Sequence, residues 1–146
     1  MRLLMLVCAM LISNSLAQGQ PTPATSCTVT PTVRETPPRD PNADPFGDGP
    51  WHVNADRTIW VVNWSFPEWR QGLNQKVMWI RPAGKDLKVS GERLDGASAP
   101  LEARIPCCYP TGFQVSTVTF PTAGCWKVTA RAGDHVLEFV TMVAPR

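Results

Sequence analysis

The chain has 146 residues with 43% hydrophobic and 18% charged side chains, and its 14 basic residues nearly balance its 12 acidic ones. This length suits one compact domain, and the hydrophobic content is too high for a chain that is disordered throughout. A formal charge of +2 provides no broad field for nucleic acid or acidic lipid, so we expect no nucleic-acid partner.

The first 17 residues have the pattern of a secretory signal peptide. Met1 and Arg2 form a short positive start, residues 3–12 are apolar or small, and Ser15-Leu16-Ala17 places small residues at the −3 and −1 positions of a cleavage site. The apolar run is too short to cross a bilayer core of ~30 Å. We therefore expect residues 1–17 to be removed, the protein to be exported to the periplasm or the extracellular space, and the mature chain to have no transmembrane segment.

Residues 18–50 are rich in proline and are predicted to form an extended arm. They hold eight of the 15 prolines of the chain. Proline lacks the N–H that a ladder needs and fixes φ, which excludes a helix or a central strand here. We expect this arm to touch the following domain at most around Cys27.

From Trp51 to the end of the chain, the pattern is that of strands separated by turns. β-branched and aromatic runs alternate with Gly, Pro, Asn or Asp, and no window of 11 residues has a helical period. The predicted strands are Arg57–Asn63, Lys76–Arg81, Asp86–Glu92, Gln114–Phe120, Cys125–Arg131 and His135–Val143.

These strands predict an all-β domain over residues 51–146, an immunoglobulin-like two-sheet sandwich of about seven strands. Alternation places Leu87 and Val89 on the inner face of one strand, and Trp126, Val128 and Ala130 on the inner face of another. Trp79 in mid-strand is similar to the buried tryptophan of strand C in such domains. The last three predicted strands resemble the E–F–G end of that fold.

Two motifs carry a resemblance to a group of exported bacterial proteins. Ser90-Gly-Glu-Arg-Leu-Asp95 and Phe120-Pro-Thr-Ala-Gly-Cys-Trp-Lys-Val-Thr129 resemble their T-G-R-R-L-D and P-T-x-G-C-W-E-[IV]-T patterns, and Cys27-Thr-Val-Thr30 resembles an early C-x-V-T. Lys127 departs from the pattern, which has an acid there, and the Cys107-Cys108 pair is extra. The resemblance implies export and the sandwich fold, and it carries over no functional residue.

Removal of the signal peptide leaves four cysteines, Cys27, Cys107, Cys108 and Cys125, and an even number in an exported chain predicts disulfides. The strand Gln114–Phe120 separates Cys125 from Cys107 and Cys108 by roughly 20 Å, whereas a disulfide needs Cα atoms within about 7 Å. This favours a Cys27–Cys125 bond.

Cys107 and Cys108 then remain, inside the loop Ile105–Gly112 with its two prolines and glycine. One hypothesis is a vicinal disulfide or another structural arrangement of the two thiols. The alternative is a small metal-binding or redox-responsive domain, in which both thiolates and His52 or His135 bind Cu(I) or Zn(II). A third hypothesis is that this rigid loop inhibits an extracellular protease.

No catalytic pattern occurs in the sequence. There is no G-x-S-x-G, H-E-x-x-H, Walker or G-x-G-x-x-G motif, and no pair of carboxylates is singled out for glycoside hydrolysis. His135 follows Asp134 in a predicted turn, without an identifiable serine partner. We therefore predict no enzymatic activity, no catalytic residue and no cofactor.

Aromatic residues are concentrated between Trp51 and Trp69. Trp60, Trp64, Phe66 and Trp69 are the predicted binding residues, because one strand cannot bury both of its faces in the same core and exposed rings bind sugar faces or proteins. The alternative is that the arm or the loop Ser65–Gln75 covers the second face. The leading prediction is an exported, non-enzymatic binding or structural module for an unknown protein or carbohydrate.

Overall fold

The computed structural model describes residues 26–38, 47–107 and 109–146. The predicted signal peptide lies outside these ranges, within which there are nine strands and no helix. The strands are β1 (His52–Val53), β2 (Trp60–Asn63), β3 (Trp69–Arg70), β4 (Gln75–Ile80), β5 (Leu87–Arg93), β6 (Glu102–Arg104), β7 (Phe113–Thr119), β8 (Gly124–Ala132) and β9 (His135–Ala144).

The strands form two sheets with immunoglobulin-like order. One sheet runs β1-β2-β4-β7-β6 and the other runs β3-β9-β8-β5, and β3 is parallel to β9 while the other pairs are antiparallel. Without β1 and β3, the orders β2-β4-β7-β6 and β5-β8-β9 match the ABED and CFG sheets of a constant-type immunoglobulin domain. The predicted all-β sandwich is confirmed, with two short strands added to a seven-stranded frame.

Each of the six predicted strands is present, with its ends shifted by up to three residues. The comparison of Trp79 with the strand C tryptophan is wrong, because Trp79 lies on β4 at the B position and β5 takes the C position. Trp79 is nonetheless buried, and its indole N–H donates to Ser116 Oγ at 2.7 Å. Spacing along the chain does not reveal which sheet a strand joins.

The main core lies between the sheets and follows the predicted alternation. Leu87, Trp126, Val128 and Ala130 are buried there, and Val89 packs against them. Burial of large apolar side chains contributes roughly 1.5–3 kcal/mol each, so this core accounts for one stable domain.

A second apolar cluster covers the outer face of the five-stranded sheet. Trp51, Trp60, Met78 and Ile80 are buried in it, and Val33 of the predicted arm packs against them. The rings of Trp51 and Trp60 meet edge to face with centroids 6.4 Å apart. The arm therefore covers this face.

The described part of the arm is a packed element of the domain. A disulfide joins Cys27 to Cys125, as predicted, with Cα atoms 5.6 Å apart. Thr30 exchanges two hydrogen bonds with the backbone of Val140 on β9, and Val33 forms a bridge to Trp51 beside β1. The domain boundary predicted at residue 51 consequently cuts through a packed cluster.

The sandwich has two ends, which the pairing of β5 with β8 places roughly 20 Å apart. The loop end contains the turn 54–58, the loop 81–86, residues 105–107 and 109–112, and the turn 133–134. The corner end contains the loop 64–68, residues 94–100 and the turn 120–124. Each end carries some of the residues that the sequence singled out.

Candidate functional site

The four predicted binding aromatics do not form one patch. Trp60 is buried in the second cluster and Trp69 in the main core, so neither can contact a ligand. Trp64 is 57% exposed and Phe66 is 36% exposed. Of the four predicted binding rings, only these two, on the loop 64–68 at the corner end, are exposed enough to contact a ligand.

This aromatic loop (residues 64–68) is held in place by hydrogen bonds. The backbone N–H of Trp64 donates to the carbonyl of Lys76 at 3.0 Å, and the N–H of Lys76 donates to Ser65 Oγ at 2.7 Å. The Asn63 carboxamide accepts from the N–H of Ser65 at 3.2 Å. Lys76 Nζ lies 5.1 Å from the centroid of the Trp64 ring, which favours an ordered ring with a cation on one face.

The two motifs of the bacterial resemblance meet at the corner end. Arg93 Nε donates to Asp95 at 2.7 Å, and the hydrogen bond from Arg93 holds the pKa of the Asp95 carboxyl below its usual value. The N–H of Leu94 donates to the carbonyl of Cys125 at 2.7 Å. Gly124 has a φ of 131°, and a Cβ there would lie 2.6 Å from Asp95. These motifs build the joint that carries the disulfide.

His135 belongs to a polar cluster that the sequence did not indicate. Its Nδ1 lies 3.0 Å from Asp56 Oδ2 and 3.0 Å from Thr58 Oγ1, and Thr58 Oγ1 donates to Asp56 Oδ1 at 2.9 Å. In a nucleophile triad the acid and the hydroxyl contact opposite ring nitrogens. Here both contact Nδ1, so the cluster braces the turn and does not form a proton relay.

The alternative metal site is not assembled by the residues that the structure describes. His52 is 6% exposed and stacks on Phe139 with centroids 4.1 Å apart, and burial lowers its pKa to about 4. In the described ranges no three His, Cys, Asp or Glu residues are close enough to hold a metal ion, so the two histidines do not converge on Cys107. Cys108 lies outside the described residues.

An open cleft of about 450 Å³ lies at the loop end. Its lining includes the charged residues Arg81, Lys85 and Asp86 and the largely apolar residues Leu87, Ile105, Pro106, Tyr109 and Pro110. Cys107 also lines the cleft and is disulfide-bonded. The cleft has the size and the mixed lining of a site for a small molecule.

Arg81 is the buried cation of this cleft. It is 5% exposed, and its guanidinium donates to the carbonyls of Pro82 and Tyr109 at 3.0 Å each and to Gln114 Oε1 at 3.1 Å. Gln114 in turn donates to the carbonyl of Pro106 at 3.0 Å. Arg81 and Gln114 thus support the cysteine-containing loop from beneath, a role that the sequence did not indicate.

A comparison with protein-family models finds no match to this chain, and neither does a comparison with curated proteins. Among the described residues, no helix is long and apolar enough to span a membrane.

Proposed function

We propose that the chain is an exported, non-enzymatic binding module that contacts a protein or carbohydrate ligand through the aromatic loop. The observation that carries this proposal is the exposure of Trp64 and Phe66. The other five tryptophans of the chain are at least nine-tenths buried. A domain that buries the rest of its indole rings has no packing reason to expose this one.

The rigidity of the aromatic loop supports the same proposal. Binding costs less conformational entropy when the contact residues are already ordered, and Trp64 is fixed by its backbone bond to Lys76 and by the lysine above its ring. Tryptophan is enriched among residues that dominate binding energy at protein interfaces. Its flat apolar face also suits a sugar ring.

The test is a glycan array and a peptide library probed with the mature chain. We expect Trp64→Ala with Phe66→Ala to abolish binding of whichever probes the native chain retains. Met142→Ala is the matched control, because Met142 is an exposed apolar residue on β9, outside the loop. Absence of any bound probe, or binding that survives the double substitution, would overturn the proposal.

Export is supported by the disulfide. Disulfides persist in oxidising compartments and are rare in the cytosol, and Cys27–Cys125 connects the arm to the domain. Expression of the full chain in bacteria, followed by mass spectrometry of the periplasmic fraction, should give a protein that begins at Gln18. An intact N-terminus in the cytosolic fraction would contradict export.

A redox-responsive role is the second candidate, and the disulfide-bonded state of Cys107 in an exposed loop favours it. A metal role is not favoured, because a sulfur in a disulfide is not a thiolate. A thiol titration over a series of redox buffers tests the candidate. A loop disulfide that is reduced only together with Cys27–Cys125 would contradict it.

Protease inhibition is the third candidate. The hydrogen bonds from Arg81 and Gln114 to the loop favour it, because they make the loop more rigid. A panel of extracellular proteases tests it directly. Cleavage of the loop without inhibition would exclude it.

A further inference from the structure

The positive charge of Arg81 is hydrogen-bonded but has no carboxylate in direct contact among the described residues. The groups that accept from its guanidinium are two carbonyls and an amide, which are all neutral. No carboxylate of the described residues forms an ion pair with it. Its Nε has no hydrogen-bond partner within the described part of the chain. A buried charge is costly unless it is paired, and the carboxylate of Asp86 acts on Arg81 only through space, so a further anion in direct contact would stabilise this arginine.

Burial also affects the ionisation of Arg81. Desolvation lowers the pKa of its guanidinium, and the charge of Asp86 opposes that effect. Arginine nonetheless remains protonated in proteins. The group therefore cannot relieve its burial by losing the proton, as a histidine or lysine could.

Further cations surround the cleft. Lys85 lines it and also lines a second cleft of about 390 Å³, whose lining includes Lys88 and Arg131. The residues that line the two clefts thus include four cations and one acid, Asp86. The whole chain has 14 basic and 12 acidic residues, so this excess is local. Cationic walls of low dielectric concentrate anions.

We infer that the cleft beside Arg81 binds a small organic anion, whose charged group lies at the Arg81–Lys85 wall and whose apolar part lies against Ile105 and Tyr109. The apolar lining residues favour an organic anion over an inorganic one, because an inorganic anion would leave them uncovered. This site is independent of the aromatic loop, which lies at the opposite end of the sandwich, so either proposal can fail without the other.

The chain offers a specific reporter for this cleft, because Tyr109 is its only tyrosine. Incorporation of 3-fluorotyrosine gives a single ¹⁹F resonance from the cleft wall. Benzoate and phenyl phosphate are the anionic probes, benzamide is the neutral probe of the same shape, and inorganic phosphate is the probe without an apolar part. We expect a saturable, salt-sensitive shift with benzoate or phenyl phosphate, and the tighter of the two identifies the anionic group.

Charge substitutions test the assigned wall. Lys85→Gln should weaken benzoate binding roughly twofold to fivefold, as expected for one exposed charge. Lys88→Gln is the matched control, because Lys88 lines the neighbouring cleft and not this one. Arg81→Gln should abolish binding. Because this substitution can also disturb the loop, the comparison of Lys85→Gln with Lys88→Gln is the deciding test.

Three results would overturn the inference. The first is the absence of a saturable shift with either organic anion up to about 10 mM, well above a weak millimolar Kd. The second is equal binding of benzamide or inorganic phosphate. The third is an equal loss of affinity in Lys85→Gln and Lys88→Gln, which would indicate a diffuse field and not a site.

Discussion

Each end of the sandwich contains a partly or fully buried arginine, and the two arginines differ in their hydrogen-bond partners. At the corner end, Arg93 is paired with Asp95 at 2.7 Å, next to the disulfide that joins the arm to β8. At the loop end, Arg81 is more deeply buried and contacts only neutral acceptors beside an open cleft. The paired charge completes a structural joint. Arg81, which has no such ion pair among the described residues, lies beside a cleft that a ligand anion can enter.

The two ends also differ in whether they contain the recognisable sequence motifs or the cleft. The motifs of the bacterial resemblance contain Arg93, Asp95, Gly124 and Cys125, and all four meet at the corner joint. The cleft at the loop end contains none of these motif residues. A recognisable motif in this chain therefore indicates how the domain is held together and not what it binds.

The largest expected effect comes from removal of the corner disulfide. Cys27→Ser with Cys125→Ser opens a covalent loop with a sequence separation of 98 residues, which the chain-entropy model values at about 4.7 kcal/mol. Urea unfolding should show the free energy of unfolding fall by about that amount. The control is Cys107→Ser with Cys108→Ser at the loop end, where we expect a smaller loss because Cys107 is exposed. Equal losses would remove the contrast between the ends.

The next effect compares two glycines with positive φ. Gly124→Ala should reduce the free energy of unfolding by about 3 kcal/mol, because its Cβ would lie 2.6 Å from Asp95 and 2.7 Å from Arg93 and would break their ion pair. Gly84→Ala at the loop end has a φ of 69° and no atom within 4 Å of the new Cβ. It should cost about 1 kcal/mol, from the backbone alone. Similar losses of unfolding free energy in the two variants, measured by thermal or urea unfolding, would show that the corner joint accommodates the new Cβ without breaking the ion pair.

His52 allows the effect of pH on stability to be tested. Unlike Arg81, which stays charged when buried, His52 is buried as a neutral base. Burial lowers its pKa from the usual 6.5 to about 4. Between pH 6.5 and 4 the unfolded chain binds a proton that the folded chain does not, so stability falls as the pH falls through this window. The loss approaches about 3 kcal/mol at pH 4 and levels off below it.

The matched variant for this test is His52→Leu, which should lose the pH dependence within that window. Asp56 and Asp95 have lowered pKa values, so their effects fall at lower pH and remain in both proteins. Urea unfolding from pH 7 to pH 4 measures the difference. An unchanged slope in His52→Leu would show that another group titrates.

The smallest expected effect is spectroscopic and concerns the aromatic loop. Trp64 is the exposed member of six tryptophans. Iodide in the solvent should therefore quench the fluorescence of Trp64 and little of the fluorescence of the five buried rings. Trp64→Phe should remove nearly all iodide quenching while stability changes by less than about 0.5 kcal/mol. Phe66→Ala should keep the quenching. Substantial quenching in Trp64→Phe would mean that another indole opens to solvent.

Much of the fold could be predicted because its signals are local. The alternation in β5 and β8 correctly placed Leu87 and Trp126 inside, and the length of β7 correctly favoured Cys27 as the partner of Cys125. The strands β1, β3 and β6 have only two or three residues, which is too short for an alternating pattern to identify them.

The sequence by itself determined the six longer strands, their inward faces and one disulfide, because each depends on side-chain period or on the reach of a short segment. Tertiary structure decided which rings stay exposed, since Trp60 is covered by an arm that comes much earlier in the chain and Trp64 is not. It also decided the charge of the cleft. Nothing in the sequence distinguishes Arg81 from the other arginines, and only the packing of the loop 81–86 with residues 105–107 and 109–112 buries it without a hydrogen-bonded carboxylate among the described residues.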